Sequence, residues 1–425
     1  MRDVPGLYDD IYVDLTFLEK FNKYGLNVSM DTLAASLAYA PFPLDQANQV
    51  ARYNYLQGLR WPQTGHWKNN PHADDIDFQI EADFIGLMTP GMPQVTTKLA
   101  NKVGQIMCYG DGVYGGVYMA NMYALAFTHN DIVEIVKKGL EGIPQESEFA
   151  KCMRDVIRWH KAYPNDWKKN WTLLEKKWNN DLCPNGAHWE FNIDAKMNAA
   201  YVIMGLLYGN GDMYKTMDIS TRCGQDSDCN PSSSAGILGT MLGYSNIPQK
   251  WTSEISEIEN TPFMYTDISI KKACEMSYNL AKKNIIENGG KVIGNELVIN
   301  ASKPKVLKLN DSFPGMDTQM RKELWHRFND SHTINFEGDG IVVVGEVKSP
   351  DNGQASDYVM EVEIYLNDKL VETAKMPAKN LVRRKDVYWN YQLNNRENKL
   401  TMKIKNPKEG YDLHIINYTI YDKLK

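Results

Sequence analysis

The hydrophobic pattern of the chain changes its period near residue 290, and this change limits the possible folds more than any other feature. Before that point apolar residues recur every three or four positions, as at Ile11, Leu15 and Leu18, which is typical of helices that bury one face. Beyond it, in residues 360–366 and 400–405, apolar and polar residues alternate as in half-buried strands. The pattern predicts a multi-domain α and β protein, with an all-α domain over residues 1–290 and a β-sandwich domain over residues 291–425.

Composition is that of a globular protein with a large core. The 425 residues are 43% hydrophobic and 24% charged, and roughly 150 residues per domain gives two or three domains. No apolar run of about 18 residues predicts a membrane span, and a net charge of −6 argues against nucleic acid as a partner. The first ten residues show no signal-peptide pattern, and the six cysteines show no zinc-type spacing. We therefore expect free thiols and, by default, a cytoplasmic location.

Residues 224–231, GQDSDCNP, carry the strongest chemical signal. Asp226 and Asp228 are two residues apart, and such carboxylates repel unless a cation neutralises them or one takes a proton. Oxygen ligands of this kind suit Mg²⁺. The alternative is a solvated loop with an Asp helix cap. Gly236 and Gly239 in the following helix indicate that another backbone or a ligand comes close there.

Further acids occur earlier in the chain. Asp10 and Asp14 lie four residues apart on one face of the first helix. Dipole complementation explains Asp9 and Asp10 well but explains Asp14, one turn further in, less well. The apolar spacing of residues 74–88 predicts a single helix, whose acids either face a site or form a solvated surface. Those acids are Asp77, Glu81 and Asp83.

A Gly-rich stretch, residues 109–116, precedes a predicted helix at 117–127. Such a turn presents backbone N–H groups and the positive end of the helix dipole, which together form an anion site. The sequence is not G-x-G-x-x-G and follows no predicted strand, so a Rossmann interpretation fails. A tight turn without a ligand is the alternative.

Together these segments resemble the ADP-ribosylglycohydrolase family over roughly residues 9–245. The acidic stretch from Gly224 to Cys229 resembles the late G-x-D-[TS]-D-T metal motif, and Asp9-Asp10 resembles the early T-D-D-T motif. Residues 82–90 occupy the place of the N-G-x-x-M-R segment, and residues 110–114 resemble the loop that holds the ADP-ribose phosphates. The resemblance implies an all-α domain with two metal ions, usually Mg²⁺, with Mn²⁺ as the other option.

The resemblance also implies roles for individual residues. The implied metal ligands are Asp9, Asp10, Asp226 and Asp228, with Asp14 as a further candidate. The implied diphosphate-binding residues are Gly110, Asp111, Gly112, Val113 and Tyr114. The candidates for the catalytic acid or base are Asp111, Glu81 and Asp83, and the sequence does not choose among them. The implied activity is metal-dependent cleavage of a ribosyl glycosidic bond in a small-molecule or protein-linked ADP-ribosyl substrate.

Several positions depart from the family pattern. Cys229 replaces a metal-coordinating threonine, and Tyr8 and Asp83 also differ. The family's upstream G-D-x-x-G…E segment, whose glutamate is implicated in catalysis, is not in this chain. We therefore expect either a shortened version of a longer protein or a different activity. A hydrolase of glycans or nucleotide sugars, with glycan on the β domain, and an inactive ADP-ribose-binding protein stay open as alternatives.

Overall fold

The chain folds into a helical region followed by a β region, as the change of period predicts. The computed structural model describes residues 9–294, 296–301 and 303–424, with Asp9 described by its backbone only. The α-helices are α1 (Asp9–Tyr24), α2 (Met30–Ala38), α3 (Gln46–Leu56), α4 (Asp77–Ile80), α5 (Asp83–Leu87), α6 (Pro93–Gly104), α7 (Gly110–Ala126), α8 (Ile132–Gly139), α9 (Glu148–Ala162), α10 (Trp167–Trp178), α11 (Ala195–Gly209), α12 (Met213–Arg222), α13 (Cys229–Leu242), α14 (Ile255–Ile258) and α15 (Ile270–Glu287). Short 3₁₀ turns lie at Leu140–Gly142, Tyr244–Asn246, Gln249–Trp251 and Asn380–Val382. Within the described ranges, no helix is long and apolar enough to cross a membrane.

Helices α7 and α11 form the centre of the helical region. Every residue of α7 except Asp111, and every residue of α11 except Lys196, is buried. Helices that are apolar on all sides belong in the core of a large domain. Close packing there requires glycine, since a Cβ at Gly116 would lie 2.2 Å from the Phe78 ring.

Residues 74–88 fold as two short helices, α4 and α5, and the prediction of a single helix was wrong. The chain leaves the helix at Glu81 and Ala82. At this break the Glu81 carboxylate is fully buried and accepts a hydrogen bond from Asn48 Nδ2 at 2.5 Å. Tertiary hydrogen bonding of a buried acid therefore overrides the local periodicity.

The β region is a sandwich, as predicted from the alternation. Its strands are β3 (Met316–Phe328), β4 (Ser331–Glu337), β5 (Gly340–Lys348), β6 (Val359–Leu366), β7 (Lys369–Pro377), β8 (Asp386–Asn390), β9 (Glu397–Ile404) and β10 (Asp412–Lys423). Among described residues they form two antiparallel sheets of order β3-β10-β5-β8 and β4-β9-β6-β7. Val343 of one sheet and Met402 of the other are fully buried in one shared core. Strands β1 (Lys291–Ile293) and β2 (Glu296–Val298) form a separate hairpin that contacts α15.

Polar side chains join the helical region to the β region. The guanidinium of Arg52, only 1% exposed, donates to three carbonyls of the helical region at 2.9–3.2 Å and to the Leu381 carbonyl at 2.8 Å. Asp45 forms ion pairs with Arg383, at 2.6 Å, and with Lys385. The β region is therefore bonded to residues 37–52 of the helical region, and the domain boundary at residue 290 stays a prediction.

Candidate metal centre and active site

The acidic loop, residues 224–229, runs from the end of α12 into the start of α13. Its backbone takes left-handed φ values at Gly224 (98°) and Gln225 (56°). Such a φ is unusual for a non-glycine residue. The Gln225 side chain helps to hold it, because its Oε1 accepts the Asn192 N–H at 2.8 Å. The loop therefore makes a sharp, hydrogen-bonded turn immediately before Asp226.

Asn198, in the first turn of α11, anchors this loop to the core. Its side-chain oxygen accepts the backbone N–H of Asp226 at 3.2 Å and the Nδ2 of Asn230 at 2.8 Å. Its own Nδ2 donates to the Asp194 carbonyl at 2.9 Å. Asn198 is fully buried, so the position of Asp226 is set by the central helix.

Asp10 of α1 meets the acidic loop, although it lies far from it in sequence. The Cys229 thiol donates to Asp10 Oδ2 at 3.5 Å. Donor atoms of Asp226, Asp228 and Cys229 lie within 4.8 Å of one another. Asp228 is exposed, whereas Asp226 is only 9% exposed. The group is therefore anchored on one side and open to solvent on the other.

The electrostatics of this group favour a cation. Burial, and then the neighbouring Asp228, raises the pKa of Asp226 to about 7. Burial also raises the pKa of Asp10, although the hydrogen bond from Cys229 opposes it. Carboxylates that share a site in this way are stabilised by a hard divalent cation with oxygen ligands. Asp10, Asp226 and Asp228 fit Mg²⁺ or Mn²⁺, whereas the Cys229 sulfur suits neither and here donates to Asp10.

Asp9 is the first residue of α1, and its side chain lies outside the described residues. Its role as a metal ligand therefore stays a prediction. The same is true of the ligand roles of Asp10, Asp226 and Asp228, although the structure brings these three side chains together.

Two further carboxyl groups, those of Asp14 and Asp83, lie beside Asp10, and the Glu81 carboxyl group lies beside Asp14. Burial raises the pKa of Asp14 well above its usual value, and the neighbouring Asp83, Glu81 and Asp10 raise it further. Burial also raises the pKa of Asp83, but a hydrogen bond from Asp14 opposes the shift. Two of the three predicted acid or base candidates, Glu81 and Asp83, thus lie near the acidic loop.

Helices α13 and α7 contact each other beside these acids. The close neighbour at Gly236 is a side chain, rather than the backbone or ligand expected there. A Cβ at Gly236 would lie 2.0 Å from the Tyr123 hydroxyl oxygen. Burial, and then Asp83 and Asp14, raises the pKa of Tyr123 well above its usual value. Tyr123 is therefore a neutral phenol packed against the acid group.

The Gly-rich segment, residues 110–116, forms the first turns of α7 rather than a loop. The Gly112 N–H donates to Asp74 Oδ1 at 3.3 Å, and the Ser312 hydroxyl donates to the same oxygen at 2.7 Å. A carboxylate of the chain itself thus lies where this helix start would bind an anion. The segment's buried residues include Gly110, Gly112, Val113 and Tyr114. Diphosphate binding here stays a prediction, and the ligand would replace Asp74.

Asp111 lies with Lys196, Asp194 and Asp74 rather than with Asp83. Burial raises its pKa to about 7, although the Lys196 ammonium opposes the shift. Asp111 and Lys196 are partly buried, whereas the other residues of α7 and α11 are buried. The Lys196 ammonium forms its ion pair with Asp194, at 3.6 Å, and the catalytic role of Asp111 stays a prediction.

Sequence reasoning missed three residues that support the site, Asn48, Asn198 and Tyr123. Asn198 did leave a signal, because it is a lone amide in an otherwise small and apolar helix. Asn48 and Tyr123 left none, since neither the periodicity of α3 nor that of α7 marks which polar atom faces an acid.

Comparison with known proteins adds one positive finding. A family model described as ADP-ribosylglycohydrolase matches residues 4–283. The match contains Asp10, the acidic loop and most of α15, and it ends before the β region. No curated protein sequence shows significant similarity to the chain.

Proposed function

We propose that this chain, which belongs to the ADP-ribosylglycohydrolase family, is a divalent-metal-dependent hydrolase that cleaves the glycosidic bond of ADP-ribosyl groups. The observation that supports it most directly is the meeting of Asp10 with Asp226 and Asp228 in one group that opens to solvent. Glycosidic cleavage at ribose passes through an oxocarbenium-like state, which carboxylates next to the sugar stabilise.

Asp10, Asp226 and Asp228, together with Asp9, are the residues proposed to hold the metal. Two Mg²⁺ ions are proposed, with Mn²⁺ as the substitute. When bound, such ions supply positive charge that binds ribose hydroxyls and lowers the pKa of a water. The chain's own contribution is to hold the acids in place, through the bonds from Asn198 and Gln225 to the acidic loop and its neighbours.

Asp83 is the residue proposed for proton transfer. It is partly exposed, whereas Glu81 is fully buried and bonded to Asn48. Asp83 also lies beside both Asp10 and Asp14, and burial raises its pKa. A carboxyl group whose pKa is raised toward neutrality can both give and take a proton at the working pH.

The test is release of ADP-ribose by the full chain from peptides that carry it on serine, arginine or acidic side chains. We expect release that requires Mg²⁺ or Mn²⁺, stops with a chelator and is lost in Asp226→Asn. Asp218→Asn is the matched control, because this acid pairs with Arg222 on the surface. The hydrolase proposal would be overturned if the folded, metal-loaded chain released ADP-ribose from none of these linkages. Calorimetric titration of ADP-ribose with and without Mg²⁺ would then show whether the chain binds the ligand without turning it over.

Asp83→Asn and Asp111→Asn separate the two places proposed for the acid or base. We expect Asp83→Asn to lose kcat by a factor of about 100 or more while ADP-ribose binding is kept. Loss of turnover with retained binding in Asp111→Asn alone would move the chemical role to the start of α7.

A further inference from the structure

A second group of metal-type donors lies apart from the acidic loop, where residues 72–75 and 181–183 meet the β region. Asp75, Asp181 and Cys183 each offer one donor atom, and these atoms lie within 4.8 Å of one another. Their exposures are 0%, 5% and 0%. Cys183 also packs in an apolar cluster with Tyr391 and Tyr421 of the β region. The three side chains therefore form a closed, buried group rather than a patch of solvated acids.

Each carboxylate of this group has one oxygen without a hydrogen-bond partner among the described residues. These atoms are Asp75 Oδ1 and Asp181 Oδ2. The other oxygens are bonded, since Asp75 Oδ2 lies 2.7 Å from His72 Nδ1 and Asp181 Oδ1 accepts the Cys183 N–H at 2.8 Å. A buried carboxylate oxygen without a partner is costly, so each requires a proton or a cation.

The surroundings carry more acids than bases. Besides Asp75 and Asp181, the neighbouring carboxyl groups are those of Asp74, Asp111, Asp194 and Asp386. The cationic side chains that face them are Lys196 and His72. Burial, and then the Asp194 carboxylate, raises the pKa of Asp181 well above its usual value. Among the described residues two cationic groups thus face six acids, which repel one another unless protons or a divalent cation neutralise them.

We propose that Asp75, Asp181 and Cys183 bind a zinc ion in a structural site separate from the acidic loop. One thiolate and two carboxylates match zinc, which takes cysteine and aspartate ligands, and they do not match Mg²⁺ or Ca²⁺, which avoid sulfur. Binding releases the Cys183 proton to solvent. A water or a second carboxylate oxygen takes the fourth position.

The site's outer contacts explain what it would stabilise. His72, which is bonded to Asp75, also lies 3.2 Å from Asp386 in β8. Hydrogen bonds of this kind orient metal-binding carboxylates. The loop that carries Asp181 and Cys183 continues to Asn192, whose N–H binds Gln225 of the acidic loop. A zinc ion would thus fasten this loop to residues 72–75 and, through His72, to the β region.

Cobalt substitution tests the proposal with a signal that does not depend on activity. The full chain, purified under reducing conditions, would be loaded with Co²⁺, since a thiolate ligand gives a near-ultraviolet charge-transfer band. We expect that band in the wild type, its loss in Cys183→Ser, and its retention in Cys229→Ser. Cys229→Ser is the informative comparison because Cys229 lies with two aspartates in the acidic loop. We also expect about one equivalent of zinc to remain bound in Asp226→Asn.

Absence of the band in the folded wild type would overturn the proposal, as would a band that Cys229→Ser abolishes and Cys183→Ser keeps. Should Cys183→Ser fail to fold, Asp181→Asn and Cys229→Ser still decide, because the band must weaken in the first and persist in the second. Retention of the band in an Asp226→Asn variant that lacks hydrolysis would separate this site from the proposed function.

Discussion

The side-chain oxygen of Asn198 accepts the backbone N–H of Asp226 at 3.2 Å. Asn198 itself is no candidate metal ligand, yet it lies in a helix whose residues are all buried except Lys196. The candidate metal loop is therefore positioned by the protein core, and the affinity for a cation should depend on a residue that does not touch it.

Asn198→Ala should weaken Mg²⁺ binding without removing a ligand. The substitution leaves the Asp226 N–H and Asn230 Nδ2 without their acceptor, which costs about 1–3 kcal/mol of unfolding free energy. Loss of such a supporting contact also lowers metal affinity by roughly 10–100-fold. Calorimetric titration with Mg²⁺ measures the affinity, and denaturant unfolding measures the stability.

Asn170→Ala is the matched control for Asn198→Ala. Asn170 is equally buried and bonded, donating to the Val156 carbonyl and the Tyr208 hydroxyl. The Asn170→Ala substitution should lower the free energy of unfolding to a similar extent and leave the Mg²⁺ affinity unchanged. Equal loss of affinity in both variants would contradict the anchoring role of Asn198.

Stability of the metal-free chain should fall as the pH rises. In the folded state the pKa of Asp226 is about 7, against a usual value of 3.8. Between these values the folded chain binds more protons than the unfolded chain, so raising the pH through this window destabilises it. Each pKa unit corresponds to about 1.4 kcal/mol, which makes a loss of about 1–3 kcal/mol reasonable for a side chain that is only 9% exposed. Thermal unfolding at pH 5 and pH 8, with a chelator present, measures this loss of stability.

Mg²⁺ should reverse that loss at pH 8 and have little effect at pH 5, because a proton and a cation compete for the same carboxylate. In Asp226→Asn the metal-free stability should depend less on pH. A pH profile as steep as that of the wild type would assign the titration to another group.

Much of the fold follows from sequence periodicity, because burial of one face leaves a repeating trace. The sandwich and α1 are predicted in this way. The glycine at position 236 predicts a close approach but does not show that the neighbour is the Tyr123 side chain. The break at Glu81 is not visible, since it results from a hydrogen bond to Asn48, a residue on a different helix.

The site is only partly readable from the sequence for the same reason. Asp226 and Asp228 are two residues apart, so the sequence alone predicts that they form a pair, whereas Asp10 is assigned only through a resemblance to known motifs. The sequence does not predict that Asp75, Asp181 and Cys183 form a group, because they lie on two loops more than a hundred residues apart that meet only in the fold.

Gly236→Ala should destabilise the chain, because the added methyl carbon would lie 2.0 Å from the Tyr123 hydroxyl oxygen. Forcing an atom into a packed core costs about 1–3 kcal/mol. Tyr123→Phe should recover part of that loss, since it removes the closest atom and leaves the ring carbon at 2.9 Å. A double-mutant cycle by denaturant unfolding measures the coupling, and additive effects of the two substitutions would contradict the contact.

Arg52→Lys should loosen the junction between the helical and β regions. The guanidinium of Arg52 serves four carbonyls, of which Leu381 belongs to the β region. A lysine ammonium has three donors and cannot reproduce the planar fork, so buried carbonyls lose their partners. We expect the unfolding free energy to fall by about 2–4 kcal/mol.

Arg60→Lys is the control, because Arg60 also donates to carbonyls, those of Tyr55 and Leu59, but on the surface. That control should lose less than about 0.5 kcal/mol. An equal effect of the two substitutions would mean that the buried bonds of Arg52 do not hold the two regions together.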